Sequence, residues 1–147
     1  MIREVQITDA PAIKALCRDA LGYDADLDLV RQQIGKLCQD PKHHSFVYLD
    51  PSTQALLGYV EVEVYDCFYS PTGLNVLGLA VLEDAQGQGI GKQLMTFLEA
   101  WARDHGYPFI RLNSALHREE AHAFYQKLGY DGQKLQKRFI KELSVND

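Results

Sequence analysis

Apolar residues along this chain switch between a spacing of two and a spacing of three to four. Ile2, Val5 and Ile7 against Arg3, Glu4 and Gln6 predict a short, imperfect strand over residues 2–7. Thr8 suits a helix N-cap and Pro11 a first turn, after which Ile13, Leu16, Cys17, Ala20 and Leu21 recur helically until Gly22. A loop, Gly22-Tyr23-Asp24-Ala25-Asp26, leads to a second helix, opened by Asp26 or Asp28, striped by Leu27, Val30, Ile34, Leu37 and Cys38 and ended by Asp40-Pro41. His43-His44 reads as a solvated pair beside a turn, 45–49 as a strand and 50–53 as a turn. Over 55–65, Val60, Val62 and Val64 alternate with Glu61, Glu63 and Tyr65, so one face is buried and the other carries two carboxylates and a phenol. Residues 69–73 read as a loop, 74–82 as a buried strand, and Ile90, Leu94, Phe97, Leu98 and Trp101 as the core stripe of a helix reaching Asp104. A strand over 109–113, a short helix with Ala121, Phe124, Tyr125 and Leu128 inward and Gly129 at its end, and a peripheral strand over 135–143 complete the pattern. This mixture predicts a central sheet covered by helices, in one domain spanning 1–147.

Between the buried strand and the long helix lies Gln86-Gly87-Gln88-Gly89-Ile90-Gly91-Lys92. A glycine-rich strand-to-helix turn aims several backbone N–H groups at one point, at the positive end of a helix dipole. With no Cβ at Gly87, Gly89 and Gly91, a phosphate can approach closely. The spacing is not that of a Walker A loop, because Gln86 stands at the first glycine position and Gln93 follows Lys92. Nor is it Gly-x-Gly-x-x-Gly near the start of a βαβ unit. On the loop alone, an ordinary glycine-rich turn is the competing reading.

Composition narrows the field. Apolar residues make up 46 % and charged residues 24 %, as in ordinary globular domains, and the net charge of −5 disfavours nucleic acid while weakly favouring a cationic acceptor. Cys17, Cys38 and Cys67 are odd in number and widely spaced, which argues for a reducing compartment and against a disulfide framework or a zinc site. The two histidines of His117-Arg118-Glu119-Glu120-Ala121-His122 are five apart and point in different directions on a helix, so they do not share a metal. The start of the chain carries no signal-like apolar segment, and no apolar run approaches membrane-spanning length; a cytoplasmic protein with no membrane partner is expected.

Gln86-Gly87-Gln88-Gly89-Ile90-Gly91 resembles the Gln/Arg-x-x-Gly-x-Gly pyrophosphate loop of the GNAT superfamily of acetyl-CoA-dependent N-acetyltransferases. Some thirty residues later, Ala121-His122-Ala123-Phe124-Tyr125-Gln126-Lys127-Leu128-Gly129-Tyr130 resembles that family's second motif, Ala-x-x-(Phe/Leu)-Tyr-x-x-x-Gly-(Phe/Tyr). The resemblance spans essentially the whole chain. It implies an α/β (α+β) GNAT fold, a mixed and largely antiparallel sheet with helices on both faces. It further implies a cofactor-binding stretch of Gln86, Gly87, Gln88, Gly89, Ile90, Gly91 and Lys92, in which the backbone N–H groups of Gln88, Gly89, Gly91 and Lys92 hold the pyrophosphate of acetyl-CoA and Gln86 and Gly87 shape the entry. It also implies that Leu79, Ala80 and Val81 line the arm of acetyl-CoA. The backbone of Leu79 and Val81 would pair with that arm like an added strand. A gap is implied between residues 79–81 and residues 112–113, with the Leu79 N–H stabilising the developing oxyanion. Tyr125 is implied as the acid that protonates the leaving thiolate; a core-edge aromatic is its alternative.

The base departs from the family pattern. Many relatives carry a Glu where this chain has Asn75, which cannot accept the proton. Glu61 and Glu63 are the substitutes, with a solvated strand face as the alternative. Arg118 stands where many relatives have Asn, so that role is not carried over. The acceptor is expected beside Tyr23, Asp24, Tyr65 and Asn75. The implied reaction is acetyl transfer to a primary amine of a small molecule by direct attack in a ternary complex, because no cysteine has a recognisable base partner in the sequence. A protein N-terminus or lysine as acceptor, and a CoA-binding domain without turnover, remain alternatives, and a homodimer is left open.

Overall fold

The computed structural model describes residues 1–145, which fall into two compact units, Met1–Asn113 and Ser114 onward. In the first, strands β1 (Ile2–Glu4), β2 (His43–Leu49), β3 (Leu56–Cys67), β4 (Ser70–Val81) and β5 (Ile110–Leu112) form one sheet in the order β1-β2-β3-β4-β5. Every neighbouring pair is antiparallel except β4 and β5, which are parallel. Three helices accompany it: α1 (Ala10–Leu16), continued by a wider π-helical turn Cys17–Leu21, then α2 (Leu27–Leu37) and α3 (Ile90–Asp104). The mixed, largely antiparallel sheet expected from the sequence is the sheet found.

Alternation along the strands divides the core between the two faces of the sheet. Val47, Leu49, Tyr59 and Ala80 pack with Ile13 and Leu16 of α1, and Val30 and Ile34 of α2 close over them. On the opposite face Phe46 meets Phe97 and Trp101 of α3, with ring centroids 4.9 and 5.7 Å apart. Gly58 lets α3 come close: a Cβ there would lie 2.9 Å from the Ala80 carbonyl and 3.3 Å from Ile90 and Leu94. The small residue in β3 thus sets the seat of the first turns of α3, the end that carries the glycine loop.

Three boundaries differ from expectation. The first strand stops at Glu4 because buried Asp9 accepts the Gln6 N–H at 2.8 Å and both Arg3 amino groups at 2.8 and 2.9 Å, which draws Ile7–Asp9 into a 3-10 turn. The expected loop over 69–73 is largely strand, since β3 and β4 pair out to Cys67 and Ser70 and leave Phe68-Tyr69 as the hairpin tip. His43 and His44, expected as a solvated pair beside a turn, lie within β2.

In the second unit, α4 (Glu119–Lys127) is the regular element among the described residues. The expected strand over 135–143 is absent: these residues are exposed and without regular structure. A strand needs a neighbour for its N–H and C=O groups, and this unit supplies none.

Candidate active site

The glycine loop follows β4 through a 3-10 turn, Glu83–Ala85. Gln86 anchors it by donating its side-chain amide to the Val81 carbonyl at 3.2 Å. Gly87 and Gly89 have φ of 82° and 80°, a left-handed backbone that suits glycine, and a Cβ at either would meet nothing within 4 Å. Gly89 is the N-cap of α3, and the Gln93 N–H bonds its carbonyl at 2.9 Å. The preceding N–H groups, of Ile90, Gly91 and Lys92, have no carbonyl one turn earlier, and the first turn of α3 holds no acid. Open space, left-handed glycines and spare donors at a helix start together fit a phosphate.

Strand β4 carries an irregularity beside this loop. Its pairing with β3 runs Val62↔Val76 and then Glu61↔Gly78, so Leu77 is an extra residue opposite Glu61. Its pairing with β5 ends at Val76↔Leu112. The Leu82 N–H bonds the Leu57 carbonyl at 2.8 Å, so by alternation Ala80 and Gly78 also turn their backbone groups to β3. Leu79 and Val81 turn theirs the other way, toward the side that β5 has left. Ala80 differs from its two neighbours: its side chain is buried against Tyr59 and its backbone is used by the sheet.

A polar network covers the α1 side of the sheet below the core. Glu61 accepts from Nε2 of His43 at 2.8 Å, and His43 is almost buried. Glu63 instead accepts from the Asn75 amide at 3.0 Å. The Asn75 carbonyl oxygen takes a 2.7 Å bond from Arg111, whose guanidinium also donates to Asn113 at 3.3 Å and lies 4.7 Å from the centre of the Tyr65 ring. Beside Glu61, the Cys17 sulfur lies 3.2 Å from the Tyr59 hydroxyl. Burial pushes both groups up, the thiol and the phenol, and the nearby Glu61 charge adds to each rise.

The structure therefore gathers Glu61, Glu63, Tyr65 and Asn75 on one face. Tyr23 and Asp24 follow the π-helical turn, which touches this face where Leu21 approaches Gly78; Tyr23 is exposed, and Asp24 is held by Lys14 at 2.8 Å. Two residues were missed. The sequence reads His43 as solvated, yet its place two residues before Ser45, the partner of Glu61, puts it on the Glu61 face. His44 points the other way, against Trp101, and burial lowers its pKa. Arg111 gave no signal of its own, because only the parallel register Asn75↔Arg111 brings it here.

Tyr125 belongs to the second unit, on α4. Its ring meets Phe124 and Tyr130 edge-on, with centroids 5.1 and 5.9 Å away, and burial raises its phenol against a lowering by Arg118.

The family described as the acetyltransferase (GNAT) family matches residues 10–130. An uncharacterized N-acetyltransferase of Bacillus subtilis, YhdJ, is 36% identical over 113 residues, covering 75% of this chain and 77% of that protein. The aminoalkylphosphonate N-acetyltransferase of Salmonella typhimurium is 26% identical over 130 residues, covering 88% and 83%. Among solved structures, the aminoglycoside 6'-N-acetyltransferase AAC(6')-Ih of Acinetobacter baumannii superposes with a TM-score of 0.82 over 98% of this chain and 99% of its own, at 19% identity, a likeness of fold. Among the described residues, no helix is long and apolar enough to cross a membrane. With the family match spanning most of its length, the chain belongs to the GNAT family and is an N-acetyltransferase of that type.

Proposed function

We propose that the protein transfers the acetyl group of acetyl-CoA to a primary amine of a small molecule, by direct attack in a ternary complex. The observation that carries this reading is the parting of β4 from β5 at Val76↔Leu112 beside the glycine loop, with the backbone groups of Leu79 and Val81 turned to the vacated side. Residues 86–92 would bind the pyrophosphate through their main-chain N–H groups, and Leu79 and Val81 would pair with the arm. Acetyl-CoA supplies an activated acetyl thioester.

The chain's own residues divide the remaining work. Glu61, opposite the extra residue in β4 and held by His43, is the proton acceptor for the amine; Glu63 is engaged by Asn75. The raised phenol of Tyr125 is protonated at neutral pH, as a donor to the leaving thiolate must be. The raised thiol of Cys17 is mostly uncharged and poorly nucleophilic, which favours direct attack over an acyl-enzyme. The small-molecule acceptor draws support from the aminoalkylphosphonate enzyme among the relatives.

Thiol release from acetyl-CoA across a panel of small amines, with product mass, tests the reading. Acetylated amine and an unmodified enzyme mass after incubation with acetyl-CoA alone are expected. Acetylated enzyme that passes its group to an amine would overturn direct attack; acetylation confined to co-purified proteins would overturn the small-molecule acceptor.

A further inference from the structure

Among the described residues, Arg111 forms no ion pair; Asn75 stands between it and Glu63. Arg3–Asp9, Lys14–Asp24, Arg18–Asp19, Arg31–Asp28 and His43–Glu61 are ion pairs among the described residues. Arg111 belongs to none of them, although it is half-buried on the face that carries Glu61 and Glu63. It bonds neutral groups: the side-chain oxygens of Asn75 and Asn113 and the ring of Tyr65. Those two bonds leave about three of the five guanidinium donors for something else. Asn75 fixes the arrangement by bonding the cation through its oxygen and the Glu63 carboxylate through its nitrogen. The result is a face of two signs, with carboxylates on β3 and a guanidinium two strands away on β5, roughly 10 Å across the sheet.

We propose that Arg111 receives an anionic group of the acceptor, so that the preferred substrates are small amines that also carry a phosphonate or carboxylate. The proposal rests on the acetyl-transfer reading above. The amine end lies toward Glu61 and the anionic end at Arg111, where the planar guanidinium can take two oxygens at once. The chain as a whole is negative, with a net charge of −5, so an anionic acceptor needs such a local cation to be held.

The test compares matched acceptors, 2-aminoethylphosphonate with ethanolamine and β-alanine with propylamine, in steady-state kinetics of the wild type, Arg111→Gln and Arg111→Lys. The expected wild-type kcat/KM is at least about tenfold higher for each anionic member. Arg111→Gln raises KM for the anionic amines by about tenfold or more and leaves that of the neutral ones unchanged. Arg111→Lys, which keeps the charge and guards against a folding defect, recovers part of the loss. Calorimetric binding of 2-aminoethylphosphonate to the wild type and both variants reads the contact without turnover. Equal use of neutral and anionic amines, or an Arg111→Gln effect of the same size on both, overturns the proposal and leaves acetyl transfer standing. Arg111-dependent binding with no amine acetylated supports the proposal and overturns the transfer reading.

Discussion

His43 reaches diagonally from β2 to Glu61 on the neighbouring β3: its register partner is Glu63, yet its Nε2 lies 2.8 Å from the Glu61 carboxylate. The two carboxylates of β3, on one face and two residues apart, thus turn to opposite neighbours, Glu61 to β2 and Glu63 to β4.

This divergence predicts unequal roles. Glu61→Gln should lower kcat by about 100-fold with little change in KM for acetyl-CoA. Glu63→Gln keeps an oxygen for Asn75 and should act mainly on acceptor KM. A larger kcat loss in Glu63→Gln than in Glu61→Gln would transfer the base role to Glu63.

Gly89 has room for a side chain but the wrong backbone angle for one. Gly89→Glu should therefore cost only about 1–2 kcal/mol of stability, read as a modest fall in Tm. It should nevertheless abolish acetyl-CoA binding in calorimetry, since a carboxylate would compete for the phosphate site. Unchanged affinity would remove the loop from the binding role.

Tyr125→Phe should lower kcat by about 10- to 100-fold while the Kd for acetyl-CoA stays within about twofold. A wild-type rate would make Tyr125 a packing residue of α4.

Asp9 ties stability to pH. Burial raises its carboxyl, but the Arg3 bonds and charge together with the Gln6 N–H outweigh it and hold the group below its ordinary value. The folded state therefore binds the proton less readily than the unfolded chain. Its stabilisation is complete above the usual carboxylate range and is lost as pH falls through the folded value. Asp9→Asn should cost about 2 kcal/mol at neutral pH, and thermal melts of the two proteins should converge in acid.

The sequence made the long-range frame legible where one physical cause dominated. The stripe from Ile90 to Trp101, the valines of β3 and the spacing of Gly87 and Gly89 each follow from a single requirement of burial or backbone angle. What it hid depended on pairing. The alternation at residues 135–143 resembles a strand, but no neighbouring strand in its unit takes up the backbone groups. His43, Arg111 and the extra residue at Leu77 become meaningful only through register, which joins positions far apart in sequence. Asp9 was invisible for a related reason, since its weight comes from Arg3 and a main-chain N–H rather than from its type.

Leu77 makes the exposed edge of β4 a matter of parity. Because one added residue reverses the outward-facing set, Leu79 and Val81 address the open side only while the count between Asn75 and Leu79 is kept. Val76 is also held by burial and Gly78 by the closeness of the Tyr59 hydroxyl, and a deletion of any one residue in that interval would invert the edge, presenting Ala80 outward and sealing Leu79 into the sheet. Length, beside chemistry, is a constrained quantity there.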